Sequence, residues 1–167
     1  MGYWGYFVVG RSERPLAELD ALAGAKGMEP RAEAPGGWQV WEYPSGDGEL
    51  GNMNVLAAQT GAPALFGYVM DSASVVVEAA APESGAWTTC LARAAMAGYL
   101  GDGNEGRTLD DYFLQPRDAA DRAVVWAAEA GHEIDAGPLL DVLTADADPL
   151  AENLFFRLLD RLGVVPL

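Results

Sequence analysis

Strand-like apolar runs alternate with helical spacing in the first part of the chain, and helical spacing alone fills the second. Trp4 to Val9 is a short run of aromatic and β-branched residues closed by Gly10, and such residues fit a pleated surface. Trp38 to Tyr43 is a second run, in which Trp38, Val40 and Glu42 alternate with Gln39, Trp41 and Tyr43. Ala64 to Met70 and the run opened by Val75-Val76-Val77 are a third and fourth. They are joined by Asp71-Ser72-Ala73-Ser74, whose side chains can bond a turn's own backbone. The pair reads as a hairpin. Both of its strands are apolar on both faces apart from Glu78, which predicts a central place in a sheet covered from either side. Gly67, inside the first of them, marks a bulge or a close approach by a neighbour.

Helical spacing fills the intervals. Pro15 opens a short helix carrying Leu16, Leu19 and Leu22 and ending at Gly24. Leu50, Met53, Leu56 and Ala57 form the face of another, stopped by Gly61 and Pro63. A third is predicted over 86–97, capped by Ser84, with Trp87, Leu91, Ala94 and Ala95 inward. Residues 25–37, with three glycines and two prolines, read as a loop. Beyond the glycine-rich stretch 100–108 the strand signal disappears. Helices are predicted from Pro116 to Ala130, over 136–143, and after Asp148-Pro149, the last with Ala151, Leu154, Phe155, Leu158 and Leu162 facing inward. The expected fold is α+β: an about four-stranded, at least partly antiparallel sheet with helices over residues 1–100. An all-helical acidic part over 101–167 packs on it, either as a subdomain or within a single domain.

Charge changes this picture more than any motif does. The chain has 25 Asp and Glu against 10 Lys and Arg, a net charge of −15. Residues 101–167 hold fourteen of those acids and five of the bases. Nucleic-acid binding needs clustered Arg and Lys on phosphates, and anionic membranes need the same, so neither is an expected partner. A basic protein partner is compatible with this charge, as is simple solubility. Lys26 is the single lysine; abundance of Ala, Gly, Pro and Arg points to a high-GC bacterial genome. No basic leader and no apolar run near ~20 residues occurs, so a cytoplasmic protein is expected.

The search for chemistry returns little. Glu129, His132 and Asp135 are the weak candidates for a metal, but Gly131 separates them from a common helical face, and a histidine suits a helix end without one. Counted from Asp102 as a calcium loop, positions five, six and twelve hold Gly106, Arg107 and Phe113, which fails the pattern. Cys90 is the lone cysteine in an apolar setting, a small buried residue rather than a catalytic thiol. Asp71, Ser72 and Glu78 could form a small acid site, but turn chemistry accounts for the first two. No cofactor and no catalytic set is expected.

The leading expectation is therefore a non-enzymatic interaction module: an acidic, inhibitor- or immunity-like protein that covers a basic site on another protein. Its candidate contacts are Trp38 and Tyr43, as exposed aromatics, and Asp110, Asp111, Asp118 and Asp121. The alternative is a small-molecule-binding domain or cryptic enzyme whose aromatic cleft lies over the sheet, lined by Trp38, Trp41 or Tyr68 with Glu42 or Glu78 projecting into it. A homodimer through the 148–162 helix is a further option, since Phe156 and Leu159 widen its apolar stripe.

Overall fold

A computed structural model describes residues 2–44, 50–100, 109, 112–147 and 150–165, with positions 99 and 100 described by their backbone alone. Among the described residues six antiparallel strands form one sheet: β1 (Gly5–Arg11), β2 (Glu29–Ala34), β3 (Trp38–Tyr43), β4 (Ala64–Met70), β5 (Ser74–Ala81) and β6 (Gly85–Leu91). Their spatial order is β2-β3-β1-β4-β5-β6. The expected hairpin β4–β5 is central, and Val75 and Val77 are fully buried, as its two-sided apolar pattern required.

Two of the six strands were not expected. β2 falls in the predicted loop; five of its six residues are exposed, and its register against β3 shifts between Pro30 and Ala32. An edge strand needs no apolar alternation and tolerates a proline that cannot donate to a ladder. β6 falls where a helix was predicted. Residues four apart, such as Trp87 and Leu91, share a face in a strand as well as on a helix, and here they pair with Ala79 and Val75 of β5. Ser84 accordingly sits in the β5–β6 turn, and helix α2 (Arg93–Leu100) begins only after Ala92 takes a left-handed φ of 54°.

Alternation across the pleat gives each face its own cover. One face presents Phe7, Val9, Trp38, Val40, Leu65, Val69, Val75, Val77 and Trp87 to helices α3 (Pro116–Glu129), α4 (Ala136–Leu143) and α5 (Ala151–Leu162). Residues from both expected parts of the chain thus share one core; the expected boundary at 101–108 lies outside the described residues. Trp126 of α3 is fully buried, and its indole N–H donates to the carbonyls of Ala64 and Ala80 at 3.2 and 3.1 Å. Gly67 answers to a close approach: a Cβ there would lie 2.5 Å from Cδ1 of Phe155. The apolar width of α5 is used inside the chain, with Leu159 buried and Phe156 edge-on to Phe7 at 5.0 Å.

The opposite face presents Val8, Ala64, Phe66 and Ala80 to helix α1 (Met53–Thr60) and to Leu16, Leu19 and Leu22. The expected helix over 15–24 is instead two 3₁₀ turns, Leu16–Glu18 and Asp20–Leu22, with Leu19 extended between them. A repeat of three residues is the 3₁₀ period, and all three leucines are buried. The Asn52 side chain caps α1 by accepting from the Asn54 and Val55 amides, and Gly61 ends it in the left-handed conformation.

Candidate interaction surface on the outer helix

Helix α3 faces inward with Ala119, Ala120, Ala123, Trp126 and Ala127, a stripe at three- and four-residue spacing. The opposite stripe is thereby turned to solvent: Asp118, Asp121, Val125 (46% exposed) and Ala128. Neither Asp118 nor Asp121 has a hydrogen-bond or ion-pair partner among the described residues. Tyr112, 40% exposed, shares with Asp118 a shallow groove of about 470 Å³, also lined by Trp87, Thr88, Leu114 and Arg122. The groove combines aromatic surface with a free carboxylate.

This surface is fastened to the sheet. Arg122 donates to the carbonyls of Ser84 and Ala86, both at 3.1 Å, so its charge is occupied by the β5–β6 turn. Glu129 accepts from the amides of Glu83 and Ser84 at 2.9 and 3.0 Å. Burial alone would raise its pKa; these donors outweigh that effect and hold the carboxyl below the usual range. Ahead of the helix, the Leu114 amide donates to the Thr88 carbonyl, while the Leu114 carbonyl accepts from Thr89 and Arg93.

The remaining sequence-derived candidates are scattered. Trp38, expected in an exposed patch, is 2% exposed beneath α3, its ring 6.0 Å from Trp126; even-numbered positions of β3 face the helices. Tyr43 is half-buried on the other face, where Tyr43, Tyr6 and Tyr68 form a row with centroid spacings of 5.9 and 4.4 Å. Trp4, 42% exposed, lies beside Tyr68. Asp110 and Asp111 lie outside the described residues.

The metal candidates part ways: Glu129 serves the turn, His132 packs against Gly163, and Asp135 is exposed at the start of α4. Among the described residues, no group of three or more His, Cys, Asp or Glu is placed to hold a metal. Glu42 and Glu78 sit on opposite faces, since β3 and β5 alternate independently. Glu42 accepts from the Tyr3 hydroxyl at 2.6 Å and pairs with Arg31 at 3.4 Å. Burial, with that bond, drives the Tyr3 hydroxyl pKa up. Burial also raises Glu78, and pushes the Cys90 thiol up to about 11, which favours its protonated form at neutral pH. Asp71 and Ser72 both have positive φ; Asp71 accepts from the Gly2 amide, and Ser72 joins the Tyr3 amide to Glu152.

Tyr112 and Val125 were not among the expected contacts. Tyr112 lies in a non-periodic segment that carries no pattern signal, and Val125 is an apolar residue on what turns out to be the solvent stripe. No protein-family model, curated protein or solved structure significantly matches the chain. Among the described residues no helix is long and apolar enough to cross a membrane.

Proposed function

We propose that the chain is a non-enzymatic, cytoplasmic protein-binding module whose acidic helical part covers a basic site on a partner protein. The observation that carries this is the outer stripe of α3, where Asp118 and Asp121 stand exposed and without partners among the described residues, Asp118 sharing a groove with Tyr112. A cationic side chain entering that groove would meet an aromatic ring and a carboxylate together. Helix α3 is anchored by Trp126, so its backbone needs no ordering at binding. In its sharpest form the module is an inhibitor of the immunity type, occluding the cationic substrate site of a toxin such as a nuclease. Complementary charge would speed encounter and disfavour wrong partners.

Affinity capture from source cells, on immobilised wild-type chain beside the Asp118→Lys/Asp121→Lys variant, tests the proposal. A basic protein retained by the wild type at low salt and lost from the variant is expected. Only neutral or acidic partners, or an identical set on both, would sink it.

A second reading is favoured by the tyrosine row. Tyr43, Tyr6 and Tyr68, with Trp41 and Glu78 on the same face, would take a small organic ligand against the sheet. It predicts a thermal shift with a metabolite, abolished by Tyr68→Ala; no shift across a metabolite screen removes it.

A further inference from the structure

A local departure from the chain's acidity lies where β1 leaves the sheet. An open cleft of about 730 Å³ forms between the β1 exit, the β2–β3 turn and the α1–β4 turn, lined by Arg11, Ser12, Glu13, Arg14, Gln59 and Thr60, with Leu19 and Ala62 as an apolar floor. That size lies within the range of small-ligand pockets. Arg11 has no side-chain partner among the described residues, and its stem lies against Gly37, whose φ of 89° suits the tight turn.

Gln39 sets the polarity of the cleft. Its amide nitrogen donates to the carbonyls of Ser12 and Arg14, at 3.0 and 2.9 Å. Its oxygen accepts from the Leu16 amide and the Trp41 indole, at 3.0 and 2.8 Å. Three of the four bonds tie the segment after β1 to β3, the Trp41 bond lying within β3, and the two carbonyl oxygens are engaged by Gln39. Apart from the Glu13 carboxylate, the side chains of the loop offer donors: the two guanidinium groups and the Ser12 hydroxyl, which accepts from the Arg14 amide and keeps its own hydrogen. The Gln59 side chain accepts from the Ala21 amide through its oxygen, so its nitrogen is a further donor. Arg14 gives one bond to the Glu18 carbonyl and retains the rest of its fork. Glu13 is the single acid in the lining among the described residues.

We infer that this cleft binds a small organic oxyanion, a phosphate monoester or a carboxylate, with Arg11 and Arg14 as the charge-bearing ligands. Guanidinium forks match both head groups in bidentate geometry. Glu13 opposes the bound charge and sets an upper limit on affinity. The site lies apart from α3 and does not depend on the protein-binding role.

Titration of ¹⁵N-labelled chain with inorganic phosphate, phenyl phosphate and benzoate at low ionic strength tests this. Saturable shifts confined to the amides of residues 11–14 and 59–62 are expected. Arg11→Gln and Arg14→Gln should each weaken binding about tenfold, the size of one charge-assisted bond. Glu13→Gln should tighten it. Tighter binding of phenyl phosphate assigns phosphate esters, and tighter binding of benzoate assigns carboxylates. Spectra of the variants that match the wild type away from the cleft keep folding out of the comparison. Absence of saturable shifts with all three probes, affinity unchanged in both arginine variants, or weaker binding by Glu13→Gln overturns the inference.

Discussion

The two faces of the sheet are covered to different depths. On one, three helices exclude water from Trp126, Phe155, Leu139 and Leu158, and a ring lies directly on the backbone of Gly67. On the other, α1 and two 3₁₀ turns cover Val8, Phe66 and Ala80, while Tyr6, Tyr43, Tyr68 and Trp41 stay half-buried. The helix-covered face has the role of scaffold: its tight packing is what holds the solvent stripe of α3 in place. The tyrosine face tolerates water and is where shape can vary at lower cost.

The sharpest way to break this contrast is Trp126→Ala. Removing a buried tryptophan costs about 3–5 kcal/mol, and here it also takes the indole donor from the Ala64 and Ala80 carbonyls. Urea unfolding should show a loss of that size; a loss near ~1 kcal/mol, as at a yielding site, would mean the face is less tightly packed than described. Gly67→Ala should come next, at about 1–3 kcal/mol, because the new methyl meets the Phe155 ring. Phe155→Leu in the same chain should recover part of it, and strict additivity of the two changes would deny the contact. On the tyrosine face, Tyr68→Leu should cost only about 1 kcal/mol, its ring pairs with Tyr6 and Trp4 being among the losses.

The two faces were unequally legible in the sequence. The hairpin β4–β5 announced itself because both of its faces are buried and valine-rich. β2 did not, because Glu29, Arg31 and Glu33 carry no buried face to leave a period. β6 was obscured by a spacing of four that two periods share, and Ala92, the residue that ends it in a left-handed turn, is one whose type gives no warning. Of the surface, the sequence reported charge but not placement. Asp118 and Asp121 fell on the exposed stripe because alanines and Trp126 occupy the other, whereas Trp38 was expected outside because which pleat faces the helices depends on partners far along the chain. Tyr112 and the arginine cleft arise from segments distant in sequence, which no local pattern encodes.

The smallest effects concern pH, and two carboxylates should respond with opposite sign. Glu78 has a folded pKa raised above 4.5 by burial, so its charged form is disfavoured in the native state. Glu78→Gln should therefore stabilise at neutral pH, and the gain should fade as pH falls through the raised pKa toward 4.5. Glu129, held below 4.5 by the β5–β6 turn, contributes stability above that value which is lost as pH falls through its folded pKa. Glu129→Gln should destabilise at neutral pH and converge with wild type in acid. Denaturation series at several pH values would separate them; the same sign for both would contradict the assigned environments.

The claim that α3 presents the partner-binding surface is tested most directly by zero-length carbodiimide cross-linking in source cells. This chemistry joins a carboxylate only to an amine in contact with it, and mass spectrometry maps the joined residues. The expected result is cross-links concentrated on Asp118 and Asp121, to lysines of a basic protein, and lost in Asp118→Asn/Asp121→Asn. Cross-links confined to acids elsewhere, such as Glu29 and Glu33 on β2, would contradict it.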